Sequence, residues 1–167
     1  MTVYHDAFKI QSDRRVTFHD VTAEAQAALA KSGIKSGMLT VYSQHTTCSV
    51  LIQEVSDDVD YWGNELLMVD LETILEGLIP RIRTQGQGQY RHPGPKHVET
   101  AVASWHEEPY WALNTDAHLR SVILGRSQSA PVIDGAIALG LFGRFWFVDF
   151  DQVRARERTV RVTIIGE

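Results

Sequence analysis

Seven histidines stand in this 167-residue chain, and three of them sit where chemistry is plausible. His45 is followed by Thr46, Thr47, Cys48 and Ser49, a run of small groups where a core would place bulk. Small hydroxyl side chains leave room for a ligand and can hydrogen-bond phosphate or water. His92 follows Tyr90-Arg91 in an irregular, Gly- and Pro-rich stretch. His118 falls in the first turn of an expected helix, with Asp116 two residues before it and Arg120 two after. A helix start favours anions, so an arginine and a histidine there suit phosphate or carboxylate. Neither a zinc-finger spacing nor H-E-x-x-H is present, so the residues alone leave two chemistries open. One is a divalent metal on imidazoles, and the other is direct binding of an anion with proton transfer near neutral pH.

The remaining chemical residues read more plainly. His5, His19 and His106 are expected at surface or edge positions. Asp57, Asp58 and Asp60 could hold magnesium, but acidic residues also favour the start of a helix, which is the reading preferred here. Cys48 is a single thiol with no disulfide partner in the chain, expected as a small strand residue. The motif G-x-S-x-G and the P-loop and Rossmann glycine patterns are absent.

These candidates need elements to position them. Phe8 and Ile10 alternate with polar neighbours, and Arg15–His19 repeats the pattern after Ser12-Asp13, so two strands are expected. Asp20 reads as the cap of a helix carrying Val21, Ala25, Ala28 and Leu29 and stopped by Gly33. Strands follow at Met38–Tyr42 and Ser49–Gln53. A second helix is expected from Ser56-Asp57-Asp58 through Val59, Trp62, Leu66 and Leu67 toward Pro80, with a break near Asp70 allowed. Residues 84–95 are expected to be irregular, 96–112 to hold a short helix limited by Pro109, and Thr115 to open a third helix ending at Gly125. Ala130–Ile133 and Ala136–Leu139 flank Asp134-Gly135, a two-residue hairpin signal. Phe145–Val148 and Thr159–Ile165 complete the strands. Short turns between strands, with helices set among them, point to one α+β domain over residues 1–167 with a mainly antiparallel sheet.

Composition bounds the partners. Hydrophobic residues make 44% and charged residues 22% of the chain, an ordinary globular balance. A net charge of −5 argues against a nucleic-acid partner, which needs a basic face. No apolar run approaches a membrane span, and the opening MTVYHDAFKIQSDRR lacks the pattern of a signal peptide. A cytoplasmic protein is expected.

Several segments together resemble the YjbQ-like family, also called the secondary thiamine-phosphate synthase family. Gln44-His45-Thr46-Thr47-Cys48-Ser49 through Ile52-Gln53-Glu54 resembles its H-[ST]-[ST] strand pair ending in N-E. Tyr90-Arg91-His92 resembles its Y-x-H. Asp116-Ala117-His118-Leu119-Arg120-Ser121 to Leu124-Gly125 resembles its A-H-[IL]-K-x-S-x-x-G helix start. Pro131–Gly135 resembles its P-V-x-x-G hairpin, and Ile165-Gly166-Glu167 fits its C-terminal end. The motifs occur in family order over nearly the whole chain. Three places depart: Gly140-Leu141-Phe142-Gly143 stands for G-T-W-Q, Asp151-Gln152-Val153-Arg154 for D-G-P-R, and the stretch between His92 and His118 is longer, with the aromatic run Trp105 to Trp111.

The resemblance implies a compact α+β fold, a homotrimer, and convergence of His45, His92 and His118. It also implies a weak thiamine-phosphate synthase activity, joining a pyrimidine diphosphate to a thiazole phosphate. On that footing the expected arrangement is a divalent metal, zinc or another, on His45, His92 and His118. Glu54 and His45 would be catalytic, with Glu54 as general base or as the group orienting a histidine. Arg120, Thr46 and Thr47 would hold the phosphate of a small phosphorylated substrate. The alternatives are the same histidines binding the anion without metal, and a trimeric ligand-binding or regulatory protein with no turnover.

Overall fold

A computed structural model describes residues 1–82 and 89–167. The expected irregular stretch 84–95 therefore lies partly outside the described residues. The elements run β1 (Thr2–Gln11), β2 (Phe18–Asp20), α1 (Thr22–Ser32), β3 (Gly37–Ser43), β4 (Cys48–Glu54), α2 (Leu66–Leu78) and α3 (Pro95–Trp105). A 3-10 turn (Pro109–Ala112) follows, then α4 (Thr115–Leu124), β5 (Ser127–Ile133), β6 (Ala136–Ile137), β7 (Gly143–Asp149) and β8 (Glu157–Gly166).

Strands join into two antiparallel sheets, of order β1-β8-β3-β5-β6 and β2-β7-β4. The smaller sheet is the middle layer. Val50, Phe145 and Phe147 point from it toward the larger sheet and α1, meeting Leu39, Val41, Val160, Val162, Ile164 and Leu29. Their neighbours Leu51, Trp146 and Val148 point the other way, against Met68 and Leu75 of α2 and Ala117 of α4. Successive strand residues face opposite sides, so a strand covered on both faces is apolar without a break. That is why Phe145-Trp146-Phe147-Val148 shows no alternation. The result is α+β, mainly antiparallel, as the sequence led us to expect.

Local signals act as their chemistry requires. Gly33 takes a left-handed conformation (φ 71°) at the end of α1. Asp134 and Gly135 both have positive φ, the geometry of a tight turn matched to strand twist, and pair Ile133 with Ala136. The residue flanking α1 is Val21, and Asp20 just before it accepts the Thr22 N–H at 2.9 Å. Two expectations shift. Of Arg15–His19 only Phe18 and His19 lie in a strand, and α2 begins at Leu66 rather than near Ser56. The Asp60 carboxylate accepts the backbone N–H groups of Trp62 and Asn64, each at 2.8 Å. Such side-chain bonds close a turn in competition with a helix.

Candidate functional site

The chain changes sheets between β3 and β4, and the corner it turns is Gln44–Thr47. The backbone N–H of Cys48 closes that corner on the His45 carbonyl at 3.2 Å. A cavity of about 440 Å³ opens there, bounded by His45, Thr46, Thr47, His97, Trp105, Trp111, Asn114, His118, Arg156 and Arg158, with Glu107 on its wall.

Helix α4 brings His118 to this corner. The Ser121 hydroxyl donates to the Cys48 carbonyl at 2.6 Å and seats the helix on β4. One turn earlier on the same face, His118 Nδ1–H donates to the Thr46 carbonyl at 3.2 Å. A carbonyl can only accept, so the proton is on Nδ1 and the Nε2 lone pair is left free. His92 is tethered in the same manner. Thr115 donates its hydroxyl proton to the His92 carbonyl at 2.7 Å, so the 2.8 Å contact to His92 Nδ1 is donated by the ring. Both rings are held below the ordinary histidine range. Burial is the main cause in each, joined for His92 by the neighbouring His97 and His118.

His97 was not singled out from sequence. Its ring lies against His92, with centroids 4.6 Å apart, and against Trp105 at 5.7 Å, while His92 and His118 are 6.2 Å apart. The usable signal was Gly94-Pro95. Proline at the first helical position starts α3 there, which puts His97 in the first turn, as Thr115 does for His118.

His45 has a different role. Its Nε2 accepts the backbone N–H of Thr159 at 2.9 Å, which places its proton on Nδ1. Burial first, and then the nearby Arg158, keep this ring below the ordinary range too. With one nitrogen accepting a backbone proton and the other carrying its own, neutral His45 has no lone pair to give a metal. Among the described residues no group of three histidine, cysteine, aspartate or glutamate side chains could hold a metal ion. The set His45, His92 and His118 therefore does not fit as three metal ligands.

The other expected site residues scatter. Thr46 and Thr47 line the cavity, but the Thr47 hydroxyl proton is given to Asp149 at 3.0 Å. Arg120 is fully buried away from it, donating to the Ile79 carbonyl at 2.8 and 3.2 Å and paired with Glu76. It ties α4 to the end of α2. Glu54 is exposed at the far end of β4, about 20 Å from the corner by strand rise, and borders a separate hollow with Asp57, Phe142 and Arg144. Cys48 is buried, and burial pushes its thiol far up, so it is inert.

Behind the cavity lies a charge network. Asp149 accepts from Arg158 Nε (2.6 Å), Ser12 (3.0 Å), Thr47 (3.0 Å) and the Asp151 N–H (3.1 Å). Asp151 takes Arg156 at 3.1 Å and the Asn114 amide at 3.2 Å. On the outer wall Arg154 pairs with Glu107 at 2.5 Å and lies over the Trp111 ring at 3.7 Å. The arrangement offers neutral imidazole bases beside fixed guanidinium groups and aromatic walls.

Comparison with known proteins agrees over the full length. The sequence model described as UPF0047 protein YjbQ-like matches residues 6–167. A UPF0047 protein of Methanothermobacter thermautotrophicus is 30% identical over 167 residues, covering 100% of this chain and 95% of that one. YugU of Bacillus subtilis is 28% identical over 149 residues, 89% and 90% of the two chains. Among solved structures, a hypothetical protein of Aeropyrum pernix superposes with a TM-score of 0.73 at 29% identity, covering 98% of each chain. Among the described residues no helix is long and apolar enough to cross a membrane.

Proposed function

The chain belongs to the YjbQ-like UPF0047 family, and from that premise we propose that its cavity takes a small phosphorylated molecule and moves a proton on it through His118. The observation that carries this reading is the tether of His118 Nδ1–H to the Thr46 carbonyl, which frees Nε2 at a cavity also walled by Arg156 and Arg158. A ring kept neutral by burial is a base at pH 7. It accepts the proton of an attacking hydroxyl or water and returns it to a leaving group. Hydrogen-bond donors of the wall hold the phosphate.

The resemblance implies a thiamine-phosphate activity, which this reading assigns to the same cavity. There the thiazole nitrogen would attack the methylene carbon of the pyrimidine diphosphate as the carbon–oxygen bond to diphosphate breaks. That nitrogen carries no proton, so this reaction would ask the wall's donors to hold the departing diphosphate and would need no base. The same reading makes the protein a cytoplasmic homotrimer. The test is turnover of a panel of phosphorylated small molecules in the presence of EDTA, with that pyrimidine diphosphate and thiazole phosphate pair included. Turnover should persist in EDTA and fall roughly 10²–10⁴-fold in His118→Ala, the usual range for a proton-transfer group. Activity lost to EDTA and restored by a divalent ion would replace this reading with a metal-assisted one. Binding without any turnover would make the protein a ligand-binding one.

A further inference from the structure

A neutral histidine that presents its Nε2 lone pair repels an anion's oxygens rather than holding them. His92 and His118 are both of that kind. Thr47 has spent its hydroxyl proton on Asp149, and Arg120 is sealed against Ile79 and Glu76. Arg158 has turned Nε to Asp149 and Nη2 to Thr47. The donors for a phosphate must therefore lie elsewhere on the cavity wall.

Two residues that line the cavity carry a buried donor with no acceptor in the protein, the indole N–H of Trp111 and the Nε–H of Arg156, and the Nε–H of Arg154 behind Trp111 is a third. A buried donor left unpaired costs roughly 1–3 kcal/mol, and each such group in a folded protein calls for an explanation. The two cavity-lining side chains are anchored by their other contacts. Arg154 lies over the Trp111 ring and is itself held by Glu107. Arg156 is fixed through Nη2 to Asp151, and Asp151 also receives Asn114. Because Arg154, Arg156 and Arg158 each have a carboxylate partner, the wall holds little excess charge. Hydrogen-bond donors rather than net charge would select the ligand.

We propose that Trp111 Nε1–H and Arg156 Nε–H form the seat for the ligand's phosphate oxygens. This deepens the reading of the cavity as a site for a phosphorylated molecule and rests on it. The phosphate is held by the 3-10 turn and the residues leading into β8, which leaves the imidazoles free for proton transfer.

Two conservative variants isolate the donors. Trp111→Phe keeps an aromatic ring and removes only the N–H, and Arg156→Lys keeps the charge and removes Nε. Calorimetric titration of the full chain with inorganic pyrophosphate should show binding, weakened about tenfold in each variant, the scale of one hydrogen bond to a charged group. Glu54→Gln, at the far end of β4 and outside the cavity, should stay within about threefold of the parent. Melting curves that match the parent's would assign the loss to the donors rather than to folding. Parent-like affinity in both variants would overturn the seat while leaving the function to the turnover assay. Tighter binding of acetate than of pyrophosphate would overturn the phosphate assignment, as would no pyrophosphate binding by the parent.

Discussion

Thr159 gives its backbone N–H to His45 Nε2 across 2.9 Å. That bond fastens the sheet-switching corner to β8, and it makes His45 a structural support for the cavity rather than a metal ligand. His45→Ala leaves the Thr159 N–H without its acceptor. It should cost about 1–2 kcal/mol, or a fall of roughly 2–8 °C in melting temperature for a chain of this size. Elemental analysis should find the same divalent-ion content in parent and variant. One bound ion per chain, lost with His45, would contradict this role.

Asp149 and Arg158 are 2% and 5% exposed and bonded to each other at 2.6 Å. Removing one partner strands the other charge in the interior. Arg158→Met should therefore lose about 3–5 kcal/mol of stability, read from the urea midpoint. A midpoint within 1 kcal/mol of the parent by the same analysis, about the worth of a surface pair, would show that the network is solvated.

Acid should weaken the fold through its histidines. His45, His92 and His118 all have folded pKa values below the ordinary one, with burial the largest cause in each. The unfolded chain then binds protons that the folded rings refuse, starting near pH 6.5. This contribution is complete above that pH and is lost as pH falls through the folded values. Urea midpoints should drop between about pH 6.5 and 5, less steeply in His118→Ala than in the parent. A midpoint that rises on acidification over that range would contradict the sign.

Oligomeric state is a separate test. The homotrimer belongs to the proposed function, and Leu78 of α2 and Val122 and Ile123 of α4 are apolar side chains exposed in the single chain. Light scattering on the eluted protein should report three chains per particle. A monomer at micromolar concentration would contradict the homotrimer.

Much of the fold could be read from periodicity and turn chemistry. Gly33, the Asp134-Gly135 turn and the strand at Phe145–Val148 stand where they were expected. Alternation could not show that β7 is covered on both faces, because an unbroken apolar run fits a buried helix segment as well. The start of α2 was misplaced because Asp60 satisfies backbone N–H groups in a turn that looks, in sequence, like an acidic helix start.

At the site, His45 and His118 were legible from their neighbours, while their different roles depend on long-range partners. Thr159 lies 114 residues from His45. Arg120 looked like a phosphate ligand because it stands near a helix start. Its actual acceptor, the Ile79 carbonyl, belongs to the end of α2, 41 residues away. Trp111, Arg156 and His97 reach the cavity from three separate elements, and no local spacing connects them.

The central claim is that His118 presents a neutral Nε2 to a phosphate-binding cavity. It is tested most directly by nitrogen-15 NMR of the histidine rings, titrated with pH and with inorganic pyrophosphate. The account predicts the Nδ1–H tautomer for His118, titration below the ordinary histidine range in the free protein, and a shifted ring signal when pyrophosphate is added. A His118 ring protonated at pH 7, carrying its proton on Nε2, or blind to pyrophosphate would contradict it.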